Sequence, residues 1–124
     1  MSENRDRVAR FILALDRREW ETWADLLHPD VIYEIPQTRE RIRGRDAYLR
    51  FNREYPGEWN LRLKVALADE VDGVAWFEWL MPGEEPVDAM AFFTFTDGVI
   101  TSVTDFWPEP YEPPPGRAHL VERW

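Results

Sequence analysis

The first half of the chain carries apolar residues at the spacing of amphipathic helices. One stripe recurs at intervals of three and four residues and consists of Val8, Phe11, Ile12 and Leu15. A second stripe with the same spacing consists of Trp20, Trp23, Ala24 and Leu27. It predicts a second helix that stops before Pro29, because the residue before a proline disfavours helical backbone. A third helix is predicted from Gly44 to about Glu54, with Ala47, Tyr48 and Phe51 facing inward.

A strand is predicted between the second and third helices. Residues 31–35 are β-branched and aromatic, which is typical of a strand. Pro36 follows them and limits this segment to a short or edge strand, since proline cannot donate a backbone hydrogen bond.

The hydrophobic period changes from 3.6 to 2 near residue 59. Alternate apolar residues predict a long strand with one buried face formed by Trp59, Leu61, Leu63, Val65 and Leu67. Turn signals then separate three further strands over residues 74–81, 87–95 and 99–107. The order α-α-β-α-β-β-β-β predicts an α+β fold, a cone-shaped barrel in which three N-terminal helices pack on a curved, mainly antiparallel sheet.

Such a curved sheet leaves a pocket between its concave face and the helices. The chain has seven Trp, seven Phe and four Tyr, so the pocket walls should be aromatic and suit a small hydrophobic molecule. The other face of the sheet also carries apolar residues, since Met90 and Phe92 share one parity while Ala91 and Phe93 share the other. A face that is neither core nor polar usually meets another protein, and we expect a homodimer through the sheet.

Composition removes several classes of function. The 124 residues make one domain, 1–124, and the absence of cysteine excludes disulfides, thiolate zinc sites and thiol nucleophiles. His28 and His119 are far apart, so no metal or other cofactor is predicted. A net charge of −9 opposes binding to nucleic acid or to an anionic membrane. The N-terminal sequence has no signal-peptide pattern, and a cytoplasmic location is expected.

Asp105 is the strongest candidate for chemistry. It lies in the last predicted strand, GVITSVTDFW, where it shares a face with Val103 and Trp107. If that face borders the pocket, burial should raise the pKa of the carboxyl and make it a general acid or base. The alternative is a structural carboxylate that pairs with an arginine or a backbone amide. Tyr33 has two readings as well, as a hydrogen-bond donor to a ligand or as a core tyrosine.

Three segments, LHPDVIYEIP, IRGRDAYLRF and FTFTDGVITSVTDFW, resemble the SnoaL-like branch of the nuclear transport factor 2-like superfamily. The resemblance covers roughly residues 5 to 107 and implies the cone-shaped fold. It leaves activity open, because the superfamily contains cyclases, isomerases, epoxide hydrolases, dehydratases and non-catalytic binders.

The family's catalytic positions match this chain only in part. The three ketosteroid isomerase positions hold Ile35, Phe11 and Ala91, which can neither donate nor accept a proton, and this argues against that activity. Of the limonene epoxide hydrolase apparatus, only Tyr33 and Asp105 match. The polyketide cyclases rely mainly on a last-strand aspartate, whose position Asp105 occupies, although aromatic residues replace their polar helpers.

The resemblance therefore implies proton transfer in cyclisation, isomerisation or hydrolysis, with Asp105 as acid/base and Tyr33 as hydrogen-bond donor. The competing class is a non-catalytic binding or dimeric interaction module whose cavity is filled by its own aromatic side chains. The predicted pocket walls are Phe11, Leu15, Trp23, Ile35, Phe51, Phe77, Trp79, Ala91, Phe93, Val103 and Trp107.

The Pro-rich tail, residues 108–124, must begin in an extended conformation. It is predicted to be a surface strap or an arm across a dimer, with a lid over the cavity as the alternative. Its anchors would be Tyr111, Leu120 and Trp124, because large apolar groups avoid water.

Overall fold

The computed structural model describes residues 2–124, and within them the chain forms three α-helices and one six-stranded sheet. The helices are α1 (Ser2–Arg17), α2 (Trp20–Asp25) and α3 (Arg45–Arg53). The strands are β1 (Leu27–Ile35), β2 (Glu40–Arg43), β3 (Asn60–Ala68), β4 (Asp72–Leu80), β5 (Val87–Thr96) and β6 (Val99–Phe106). A single 3₁₀ turn, Ala118–Leu120, lies in the tail.

The sheet has the strand order β2-β1-β6-β5-β4-β3, with β1 parallel to β6 and all other pairs antiparallel. The predicted α+β class and element order are confirmed, with the short strand β2 added between β1 and α3. The sheet is curved but open, so the cone is not a closed barrel. Among the described residues no helix is both long and apolar enough to cross a membrane.

Helix α1 covers the concave face of the sheet with the predicted stripe. Val8, Phe11 and Ile12 are buried in the core that α1 shares with β3 and β4. The first turn of α1 is tied to the β3–β4 turn by Asn4, whose side-chain amide donates to the carbonyls of Asp69 (3.0 Å) and Glu70 (3.2 Å). This polar tie helps to fix the helix over the sheet because buried amides need partners.

The second helix is shorter than predicted and the first strand is longer. Helix α2 ends at Asp25, and Leu27 already belongs to β1. The Ile100 backbone N–H donates to the Leu26 carbonyl (3.0 Å), so β6 draws this segment into the sheet. The β1–β6 pairing is irregular between Leu27 and Ile32, around Pro29, which cannot donate to a neighbouring strand.

Two further predictions for this segment are wrong. The second helix does not continue up to Pro29: His28 lies in β1, and its Nδ1 accepts the Asp30 backbone N–H at 2.9 Å. Nor is β1 an edge strand, because β2 pairs with it on the side away from β6. Helix α3 follows β2 at once, starting after Gly44, whose φ of 93° a side chain would strain.

Strand β3 changes face halfway along its length. Leu61 and Leu63 point toward the core as predicted, but the β3–β4 register shifts between Leu63 and Val65. This β-bulge reverses the alternation, so Val65 and Leu67 are 37% and 57% exposed while Ala66 is buried. The prediction of one continuous buried face is therefore wrong for the second half of the strand.

The tail leaves the sheet at Trp107, whose backbone N–H donates to Gln37 Oε1 (2.5 Å) and whose carbonyl accepts from Gln37 Nε2 (3.0 Å). Beyond this anchor Tyr111, Leu120 and Trp124 are all exposed in the single chain. A strap packed on its own domain would bury them. The tail is thus not a packed strap within one chain, and an arm across a dimer and a lid over the cavity both stay predictions.

Candidate functional site

A cavity of about 900 Å³ lies between the concave face of the sheet and the helices. Its walls come from α1, α3, all six strands and the start of the tail. The apolar and aromatic lining residues are Phe11, Ile12, Leu15, Tyr33, Ile35, Tyr48, Phe51, Tyr55, Trp59, Leu61, Phe77, Trp79, Val87, Trp107, Pro108 and Tyr111. The polar lining residues are Gln37, Thr38, Glu40, Asn52, Asp105 and Glu109. The fold thus leaves room for a ligand.

Asp105 borders this cavity and is nearly buried, with 8% of its surface exposed. Its carboxylate Oδ2 accepts a 2.5 Å hydrogen bond from the Tyr33 hydroxyl. Parallel pairing of β1 with β6 sets Tyr33 beside Val103, and Asp105 follows two positions later on the same face. The sheet register is therefore what brings the two polar groups together.

Burial raises the pKa of the Asp105 carboxyl from 3.8 to about 7, and the hydrogen bond from Tyr33 opposes part of that shift. Burial, together with the nearby Asp105, raises the pKa of Tyr33 far above its usual range. Near neutral pH, Asp105 can therefore exchange a proton while Tyr33 stays a neutral donor. Within the described residues Asp105 forms no ion pair with an arginine, and the hydrogen bond to its carboxylate comes from Tyr33 rather than from a backbone amide.

The Tyr33 ring is held by two residues of α3. It stacks on Tyr48 with ring centroids 4.4 Å apart and an interplanar angle of 18°, and it meets Phe51 at 5.8 Å. These two rings fix the orientation of the phenol, and the hydroxyl points at Asp105. Helix α3 thus positions the donor.

Seven of the predicted pocket residues line the cavity: Phe11, Leu15, Ile35, Phe51, Phe77, Trp79 and Trp107. The other four lie in the packed core and are Trp23, Ala91, Phe93 and Val103. Phe11 separates two of them from the cavity, since its ring contacts Trp23 at 5.5 Å and Phe93 at 4.9 Å. Ala91, opposite Asp105, is too short to reach the space, and Val103 is fully covered between its strand neighbours.

Several residues that line the cavity were not among the predicted pocket walls. Tyr48, which was predicted to face inward, and Asn52 lie on the inner face of α3, and Tyr55 follows two residues after its end. The three recur at helical spacing, so the periodicity of this segment contained the signal. Conversely Ala47, predicted to point inward, is exposed. Gln37, Thr38 and Glu40 lie at the β1–β2 turn, and no local pattern places a turn at a cavity mouth.

The chain thus combines an open α+β sheet with a cavity that has an acid at its wall. A family model for the SnoaL-like domain matches residues 8–103, and the chain belongs to that family. The resemblance seen in the sequence is thereby confirmed. No curated protein matches the chain.

Solved structures show the same fold. A candidate ketosteroid isomerase from Kribbella flavida is 47% identical, with 99% of this chain and 90% of that chain covered and a TM-score of 0.93. A candidate polyketide cyclase from Xanthomonas campestris is 22% identical, with 86% and 91% covered and a TM-score of 0.73. A limonene-epoxide-hydrolase-like enzyme from M. tuberculosis is 23% identical, with 86% and 84% covered and a TM-score of 0.70.

Proposed function

We propose that this protein binds a small, mostly apolar molecule in its cavity and moves a proton to or from it with Asp105. Tyr33 would donate a hydrogen bond that holds the carboxylate in place or reaches a ligand oxygen. The reaction class is proton transfer during cyclisation, isomerisation or hydrolysis, without a cofactor. The single observation that carries the proposal is a buried carboxyl, with a pKa of about 7, at the wall of an aromatic cavity.

The residues around Asp105 favour a reaction that needs one acid/base. Ile35, Phe11 and Ala91 occupy the places where ketosteroid isomerases carry their general base and oxyanion donors. A single carboxyl near neutrality can still remove a proton and return it, which typically accelerates a reaction by about 10²–10⁴-fold. We therefore assign the proton transfer to Asp105 alone, with Tyr33 as its polar neighbour.

A probe reaction tests this chemistry without knowledge of the natural substrate. In 5-nitrobenzisoxazole a base removes the proton on the ring carbon, the N–O bond breaks, and a coloured phenolate with a nitrile group forms. The protein should accelerate this ring opening by about 10²-fold or more over the same concentration of acetate. The rate should rise with pH and reach half its plateau near pH 7, because the deprotonated carboxylate is the base.

Two matched substitutions locate that reaction. Val87 lines the cavity and is 40% exposed, whereas Val65 is 37% exposed on β3 away from the cavity. Val87→Trp should suppress the ring opening by filling the cavity, and Val65→Trp should not. Equal rates in both variants would show that the reaction occurs outside the cavity. Binding of neutral N-phenyl-1-naphthylamine without acceleration would favour the alternative, a non-catalytic binding module.

We also propose that two copies associate through the outer face of the sheet. That face exposes Val65, Leu67, Trp76 and Phe92. Phe92 and Phe106 form an edge-to-face pair at 5.7 Å, and Lys64 covers only one Trp76 face at 4.2 Å. Exposed apolar clusters of this kind are typical of interfaces.

Light scattering at micromolar concentration should therefore give twice the mass of one chain. Phe92→Glu should shift the protein toward the monomer, because it places a charge at the centre of this face. The matched control is Leu13→Glu on helix α1, which is also exposed but lies away from the sheet. A monomer in the unsubstituted protein would contradict the proposal.

A further inference from the structure

The charged side chains that line the cavity are all acidic. Its titratable acids are Glu40, Asp105 and Glu109, and no arginine, lysine or histidine occurs among the described residues that line it. The chain as a whole carries a net charge of −9. An anionic ligand would meet carboxylates and no counter-charge, so the cavity disfavours acids such as fatty or aromatic carboxylates.

The cavity walls are rich in π faces. Trp79 lies nearly perpendicular to Trp107 (84°, centroids 5.6 Å apart) and to Tyr55 (76°, 5.5 Å). Because rings at right angles present their faces in different directions, a group beside them can meet more than one face. A cation over an aromatic face is attracted by the negative charge density of the ring, and tryptophan is the best partner.

The same molecule already uses tryptophan in this way. The Arg18 guanidinium lies 3.6 Å from the centroid of Trp59, a wall residue that also stacks on Trp79 at 5.2 Å. Arg18 also donates to the Trp59 carbonyl (2.6 Å), so this cation is fixed in place and occupies that ring. Among the described residues no cation lies over Trp79 or Trp107. Trp59 covers one face of Trp79, and both Trp79 and Trp107 border the cavity, where a ligand can reach them.

We propose that the molecule bound in this cavity is an organic cation, an apolar amine or quaternary ammonium compound. Its charged end lies against Trp79 and Trp107, and its apolar part extends toward Phe11 and Leu15. The carboxylate of Glu109 stabilises the charge at the mouth. This assignment rests on the proposed ligand cavity and adds the chemical class of the ligand.

Two compounds of the same shape separate charge from hydrophobicity. The cation (3-hydroxyphenyl)trimethylammonium and its neutral isostere 3-tert-butylphenol differ in one atom, nitrogen against carbon. Isothermal titration calorimetry at low salt should show the cation bound about tenfold more tightly, although the isostere is the more hydrophobic compound. Trp79→Leu should remove most of this preference, while Trp20→Leu, a half-buried tryptophan outside the cavity, should preserve it.

A second variant serves if Trp79→Leu fails to fold. Glu109 lies on the exposed tail, so Glu109→Gln should leave the fold intact and weaken cation binding about twofold to fivefold. Equal or tighter binding of the neutral isostere would overturn the proposal and leave the ligand cavity standing. If neither compound binds, both the cationic ligand and the proposed ligand cavity are overturned. An equal loss in Trp20→Leu and Trp79→Leu would show that the cation binds elsewhere.

Discussion

Asp105→Asn is expected to stabilise the folded protein at pH 8 by about 4 kcal/mol and to change its stability little at pH 4. The pKa of Asp105 is raised from 3.8 to about 7, so between these values the folded chain keeps a proton that the unfolded chain releases. Stability from this group is therefore full below about pH 4 and is lost as the pH rises to about 7. Each pKa unit corresponds to about 1.4 kcal/mol. Asparagine cannot ionise, so the Asp105→Asn protein does not lose this stability as the pH rises.

Urea unfolding at pH 4 and pH 8 measures the effect. At pH 8 the variant should have the higher midpoint, and at pH 4 the two midpoints should nearly coincide. Asp30→Asn is the control, since Asp30 is an exposed carboxylate on β1 and should leave stability unchanged within about 0.5 kcal/mol. A destabilised Asp105→Asn protein at both pH values would mean that the acid holds the fold together.

The same substitution should reduce the opening of 5-nitrobenzisoxazole by about 10²–10⁴-fold, because it removes the base. A gain in stability with a loss of activity is typical of a group kept for chemistry. Tyr33→Phe is the informative companion: it retains the base but removes the hydrogen bond that favours the charged carboxylate. Its half-maximal pH should move upward by about 1–2 units, as expected for a bond to a charged group.

Trp23→Ala is expected to lower the free energy of unfolding by about 3–5 kcal/mol. Trp23 is fully buried, and its ring packs against Tyr48 at 4.8 Å and Phe11 at 5.5 Å. Those two residues line the cavity, so Trp23 supports the wall from behind. Truncation should leave a void in the core and loosen both wall residues.

Urea unfolding again gives the magnitude, and Trp20→Ala is the matched control. Trp20 is half-buried at the edge of the same cluster, with its ring 6.4 Å from Trp23, so its truncation should cost less. A nearly neutral Trp23→Ala protein that bound larger cavity probes would place Trp23 at the cavity wall, as the sequence pattern first indicated.

Local sequence patterns correctly predicted the elements whose tertiary contacts match the local preference. The stripe of α1 is buried as expected because one face of that helix meets the sheet along its length. The Asp97-Gly98 turn joins β5 to β6 with positive φ at both residues, which a tight hairpin requires. The local pattern gave a wrong prediction where another strand pairs with the segment. Leu27 belongs to the helical stripe but pairs with β6, and the bulge near Val65 reverses which face of β3 is buried.

The candidate site was likewise predicted from the sequence only in part. The alternation of β6 was enough to place Asp105 on the inner face with Val103, because side chains alternate along any strand. That Tyr33 donates to Asp105 depends on the parallel register of β1 and β6, two segments separated by most of the chain. Local propensity carries no information about such a register.

The sequence by itself determined the α+β class, the helical stripes, the hairpins and which residues of the last strand share a face, since each depends on residues close together in the chain. Only the tertiary structure decided that the sheet stays open, that Tyr48 of α3 and Tyr55 just after it line the cavity, and that Phe11 lies between the cavity and the buried rings of Trp23 and Phe93. These outcomes depend on which distant surfaces meet, and burial against a distant partner outweighs local preference.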